Sequence, residues 1–142
     1  MGTKLSGFLA VLCVLLAPAM RVSAHHAFNA EFDPAKPVKF HAKVTKMLWV
    51  NPHVWIYVDV KNPDDSVDEW MIEAGTPNTL MRRGFTKESL LPGTDVVVDG
   101  YQSKDGSNRA NGRDVTLPNG QTLFLGSSGT GAPYDVKKKG GN

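Results

Sequence analysis

Cysteine is nearly absent: the 142-residue chain holds one, Cys13, inside an apolar stretch close to its start. Removal of that stretch on export leaves a mature protein with no disulfide, no thiolate nucleophile and no cysteine metal ligand, so that stability rests on packing alone. A long apolar run is missing as well. The stretch from Gly7 to Ala17 falls far short of the roughly 20 residues needed to cross a bilayer, and no transmembrane segment is expected in the mature protein. Nor is there a surplus of positive charge. The full chain has 16 basic and 14 acidic residues, but Lys4 and Arg21 lie in the removable segment, and the remainder balances at zero. Setting aside Lys137, Lys138 and Lys139 in the tail leaves a body with 11 basic against 14 acidic residues. Polyanion-binding domains are usually strongly basic, so nucleic acid is not an expected partner. Missing finally are a glycine-serine elbow, a phosphate loop, a dinucleotide fingerprint and a two-histidine helix motif, and the chain reads as non-catalytic.

What is present begins with an export signal. Lys4, the apolar run, Pro18 and then Val22-Ser23-Ala24 follow the charged, apolar and cleavage order of a secretory signal peptide over residues 1–24. A periplasmic or secreted protein beginning at His25 is expected. Ala17-Pro18-Ala19 offers a second cleavage point, which would start the protein at Met20. The 118 residues after Ala24 make one domain.

Residues 25–37, with Pro34 and Pro37 and no clear period, read as an N-terminal arm. The body, 38–125, reads as strands. Val38, Phe40, Ala42 and Val44 alternate with polar residues, and Val54, Ile56, Val58 and Val60 do so more clearly. Asn62-Pro63-Asp64-Asp65-Ser66 is a turn leading to a third strand over residues 67–74, where Trp70, Ile72 and Ala74 share a face. Thr76-Pro77 offers an N-cap with proline at the first helical position and Gly84 a stop, which predicts a short helix over residues 77–83. Residues 95–101 form a fourth strand around Val96-Val97-Val98. A hairpin joined at Pro118-Asn119-Gly120 ends the body, and residues 126–142 read as a disordered tail rich in glycine, serine and lysine. The predicted fold is all-β: a small OB-fold-like barrel of about five strands with one short helix between strands three and four. A meander or sandwich is the competing arrangement.

The stretches His25-His26-Ala27-Phe28, Asn51-Pro52-His53-Val54-Trp55-Ile56, Glu69-Trp70, Thr76-Pro77-Asn78 and Lys104-Asp105-Gly106 together resemble a family of small secreted bacterial proteins known as the domain of unknown function DUF6152. The resemblance implies export and a single domain. It implies no activity.

Two sets of residues could carry function. Strand parity puts His53, Trp55 and Tyr57 opposite the core-facing Val54, Ile56 and Val58, and puts Glu69, Met71 and Glu73 opposite Trp70 and Ile72. An outer aromatic face built on Trp55, Tyr57 and Met71 could bind a small ligand or a protein partner, as the corresponding face of OB-folds does. Alternatively, the arm covers that face, with Phe28 and Phe32 packed on its rings. The second set is the histidines. A free amine on His25 and its ring nitrogen could chelate copper together, with His26 or His53 supplying a third nitrogen in a histidine-brace-like site; a solvated His-His terminus is the alternative. A hairpin centred near Val50 would place His41 opposite Asp59, too far along the strand to join His53. Arg82-Arg83 on the short helix could grip a carboxylate, with a solvated helix end as the more ordinary reading.

Overall fold

The computed structural model describes residues 27–126 and 132–134. The segment read as a signal peptide, residues 1–24, and His25 and His26 lie outside the described residues. The elements run in the order α1 (Ala27–Glu31), β1 (Phe32–Leu48), β2 (Trp55–Lys61), β3 (Val67–Glu73), α2 (Pro77–Met81), β4 (Asp95–Ser103), β5 (Arg109–Thr116) and β6 (Thr122–Phe124). The six strands make one sheet in the order β3-β2-β1-β4-β5-β6, and a parallel pairing of β3 with β5 closes five of them into a ring. The class, the ring and the short helix between the third and fourth strands match the sequence expectation. No helix among the described residues is long and apolar enough to cross a membrane.

The alternation read from sequence is the burial seen in the fold. Val54, Ile56 and Val58 of the β2 segment meet Ile72 from β3, Ala74 just after it, and Val96 and Val98 from β4 in the main core, each less than a tenth exposed. Fully burying side chains of this size contributes about 1.5–3 kcal/mol apiece. Helix α2 begins as expected: the Thr76 hydroxyl accepts from the Thr79 amide at 3.2 Å, Pro77 takes the first helical position, and Leu80 is buried. Gly84, at φ +79°, ends the turn with a backbone that L side chains rarely adopt. At Gly100 the requirement is space. A Cβ there would lie 2.3 Å from the Asn111 carbonyl oxygen, and only glycine lets β4 and β5 approach so closely.

Four expectations need correction. The arm is not a separate leader: Ala27–Glu31 is helical and β1 begins at Phe32, pairing with Ser103 of β4. Pro34 and Pro37 hid that start, because the register is interrupted between Phe32 and Pro37 and no alternation marks it. Second, Lys43 rather than His41 faces Asp59, since Leu48 pairs with Trp55 and the hairpin is thus centred past Val50, with a bulge between Val44 and Lys46; His41 faces Val97 of β4 instead. Third, the segment read as a tail from residue 126 is packed at 132–134. Ala132 is fully buried with Phe28 and Phe32 in a second apolar cluster, beside Tyr101 and Tyr134. Fourth, Arg83 is engaged, its guanidinium donating to the Gly126 carbonyl and lying 4.4 Å from the centre of the Phe124 ring.

Candidate functional site

Strand parity and register together build the site. Trp55 stands directly opposite Glu73 in the β2–β3 pairing, and His53, two residues earlier, projects to the same outer side. Backbone bonds from Val54 to Gly75 and from Ala74 to Val54, at 3.0 and 2.8 Å, carry the pairing past the end of β2 and hold His53 near Glu73. The His53 Nδ1 atom meets Glu73 Oε1 in a largely buried pair, with the carboxylate side chain 12% exposed. From the parallel side, Asn111 of β5 faces Glu73. It is itself 7% exposed, and its Oδ1 accepts from Tyr134 Oη at 2.8 Å.

The fourth wall comes from the N-terminal segment. Phe28 and Phe32 are each 2% exposed, with ring centres 5.8 Å apart. With Glu31, Pro52, His53, Trp55, Glu73 and Asn111 they enclose a cavity of about 300 Å³. Its volume lies at the lower end of those that take small molecules, and its lining of rings with a few polar groups is typical of them. Arg109, at the start of β5, contacts three of these lining residues. Its guanidinium donates to Glu31 Oε2 at 2.8 Å and lies 5.6 Å from the Trp55 ring centre and 5.8 Å from that of Phe32.

A larger groove of about 560 Å³ runs along His41, Lys43, Asp59 and Asp95 toward Leu117 and Pro118. Size is a poor guide here. The Lys43–Asp95 pair in its wall has side chains more than half exposed, so solvent already satisfies and screens its charges. The smaller cavity combines buried rings with titratable groups and is the better candidate. Its position also settles the histidines' relation: His41 lines the groove and His53 the cavity.

Of the residues singled out from sequence, the fold brings Trp55 and His53 together and leaves Tyr57 and Met71 outside the cavity. Those two face each other one step along the hairpin, and the ammonium of Lys46 lies 4.5 Å from the centre of the Tyr57 ring. On the outer face, then, a cation lies over the Tyr57 ring, and Trp55 shares a cavity lining with Phe28, Glu31 and Phe32 of the N-terminal segment. Glu31, Glu73, Asn111 and Arg109 were missed as site residues. Parity placed Glu73 on the correct face, but no local signal ties it to His53. Among the described residues no three ligating His, Cys, Asp or Glu side chains converge. His53 is the only described member of the proposed copper set.

Glu73 also governs how His53 titrates. The hydrogen bond to this carboxylate is the largest influence and raises the imidazole pKa above its ordinary 6.5; burial opposes it, and the charges of Glu73 and Glu31 and a backbone bond from the Ala74 region reinforce it. A raised pKa means that the folded state holds the proton more tightly than the unfolded chain. The stabilisation is therefore complete below about pH 6.5 and is lost as pH rises through the folded-state value. Urea unfolding at successive pH values is expected to show stability declining over that window, with the decline removed in His53→Gln. An imidazole that titrates at or below 6.5 in an NMR titration would contradict this assignment.

The chain is thus a mostly β domain in which five strands close into a ring, with the cavity of about 300 Å³ lined by residues of β2, β3, β5 and the N-terminal segment. The profile of a family of unknown function, DUF6152, matches residues 12–112. The chain belongs to that family. No curated protein and no solved structure matches it. The match ends within β5, so β6 and the Ala132–Tyr134 segment that completes the second cluster lie beyond it.

Proposed function

We propose that the protein is an exported, non-catalytic binding module of the periplasm or the exterior, and that its ligand site is the cavity between α1, the Pro52–Trp55 segment, β3 and β5. The observation that carries this reading is the convergence of Phe28, Phe32, His53, Trp55, Glu73 and Asn111, drawn from separate parts of the chain, around one ligand-sized space. Rings supply apolar area and the polar groups supply orientation, the division of labour usual in small-molecule sites. This places the ligand beside Trp55 but moves it away from Tyr57 and Met71. Screening small fragments against the ¹⁵N-labelled mature protein tests it. Perturbed resonances should concentrate at His53, the Trp55 indole and Asn111; hits that gather along His41, Lys43 and Val97 would move the site to the other groove.

Copper binding is the second reading, favoured by a specific arrangement. A carboxylate on one nitrogen of an imidazole is the usual means of orienting a metal-binding histidine, and Glu73 holds His53 Nδ1 in this manner. Phe28, in the wall of the same cavity, follows His26 by only two residues. The His25 amine and ring nitrogen, with His26 or His53, would then make an all-nitrogen set that prefers copper(II) to zinc(II). Binding should weaken as pH falls, because the metal displaces protons from the amine and the imidazoles. The test uses exported protein whose intact mass shows a start at His25, the same protein with one additional residue ahead of His25, and His53→Ala. Tight copper binding by the authentic form and its loss in both altered forms supports a site that includes His53. Equal binding by all three means that the copper is adventitious.

A further inference from the structure

Taking the cavity as the ligand site, we infer that its ligand presents a cationic group, a primary ammonium or guanidinium on an apolar stem, and that Arg109 stands in for that group in the unliganded protein. The two acidic side chains in the lining, Glu31 and Glu73, come from α1 and β3, and the rings of Phe28, Phe32 and Trp55 line the same cavity. Carboxylates beside aromatic faces suit a cation, which gains from both the charge and the ring quadrupoles. The protein's own guanidinium demonstrates the fit. Arg109 bonds Glu31 at 2.8 Å and approaches the faces of Trp55 and Phe32 to within 6 Å of their centres. A ligand cation would find the same carboxylate and the same two rings, while its stem lay against Phe28 and Pro52. Arg109 has a route out, since its side chain is about one-third exposed and sits at the start of its strand. An anionic ligand fares worse: the Arg109 charge is already matched by Glu31, and that of a protonated His53 by Glu73.

Three probes of one length separate the possibilities: n-butylammonium, n-butanol and n-butyrate, each titrated into ¹⁵N-labelled mature protein. The Trp55 indole and His53 should respond to n-butylammonium with an affinity about tenfold above that for n-butanol, the weight of a cation on rings partly removed from water, and n-butyrate should bind most weakly. Arg109→Gln removes the internal competitor and should strengthen n-butylammonium binding severalfold, whereas Glu31→Gln and Glu73→Gln should bring it down toward n-butanol. If n-butanol or n-butyrate matches n-butylammonium at these resonances, the cationic class is wrong while the cavity stands as a ligand site. Unchanged or weaker n-butylammonium binding by Arg109→Gln overturns the role given to Arg109. Silence of these resonances toward the three probes and toward the wider fragment set overturns both the cationic class and the cavity.

Discussion

Ile56→Asp is expected to unfold the domain, whereas Lys43→Asp is expected to leave it folded. Ile56 is 2% exposed and packs in the middle of the ring with Val54, Val58 and Ile72. A carboxylate placed there has no partner, and the cost of several kcal/mol is on the order of the whole stability of a small domain, about 5–15 kcal/mol. Lys43 lies on the opposite side of its strand, and its bond to Asp95 joins two side chains that are mostly exposed. Losing such a pair costs about 1 kcal/mol at most, and the added like charge is screened. Urea unfolding of the two variants measures the difference directly. Similar stabilities would mean that the inward and outward faces of the strands have been interchanged.

Deleting residues 25–37 should be nearly as damaging. The deletion removes α1 and the first turn of pairing between β1 and β4, together with Phe28 and Phe32, the two aromatic side chains that centre the second cluster. Truncating one buried phenylalanine typically costs 3–5 kcal/mol, and both go here. The Lys104 amide also loses its acceptor at the Glu31 carbonyl, 2.9 Å away, and Arg109 loses its carboxylate. A melting curve should show either no cooperative transition or one lowered by tens of degrees. Phe28→Ala alone should be milder but in the same direction. A deletion variant that melts like the intact protein would make the segment a detachable arm and reopen the outer face of β2 as a platform.

The legible part of this fold is its local part. Alternation over residues 54–60 fixed which side chains enter the core, and Thr76-Pro77 with Gly84 fixed a short helix, because each rests on the chemistry of neighbouring residues. The ring itself depends on β3 lying parallel to β5, a pairing of Met71 with Arg109 and of Glu73 with Asn111 across some 38 positions. Element order suggested it; no residue pattern encodes it. The start of β1 was hidden for the opposite reason, since two prolines within five residues read locally as irregular chain although a bulged edge tolerates them. The β1–β2 hairpin is centred past Val50, with Leu48 opposite Trp55, which moved every cross-strand partner that a turn at Val50 implied, including the residue opposite Asp59.

The candidate site follows the same division. His53 and Trp55 stood out because histidine and tryptophan carry recognisable chemistry and shared a parity. Glu73 was on the right face yet carried no signal of its own, since its meaning lies in the imidazole beside it. Arg109 and Asn111 were invisible as site residues because they belong to the strand that arrives through the long-range closure. Tyr134 sat in a segment whose composition suggested a tail, although its hydroxyl holds the Asn111 side chain at the cavity wall. A composition rich in small residues describes the average of a segment and is silent about one anchored aromatic within it.

Crystals of the mature protein soaked with the tightest fragment from the screen test the central claim most directly. The account predicts ligand density among Phe28, His53, Trp55 and Glu73, with the Arg109 side chain displaced from Glu31 when the fragment carries a cation. Density lodged instead along His41, Lys43 and Val97, with the Phe28–Trp55 cavity unchanged, would contradict it.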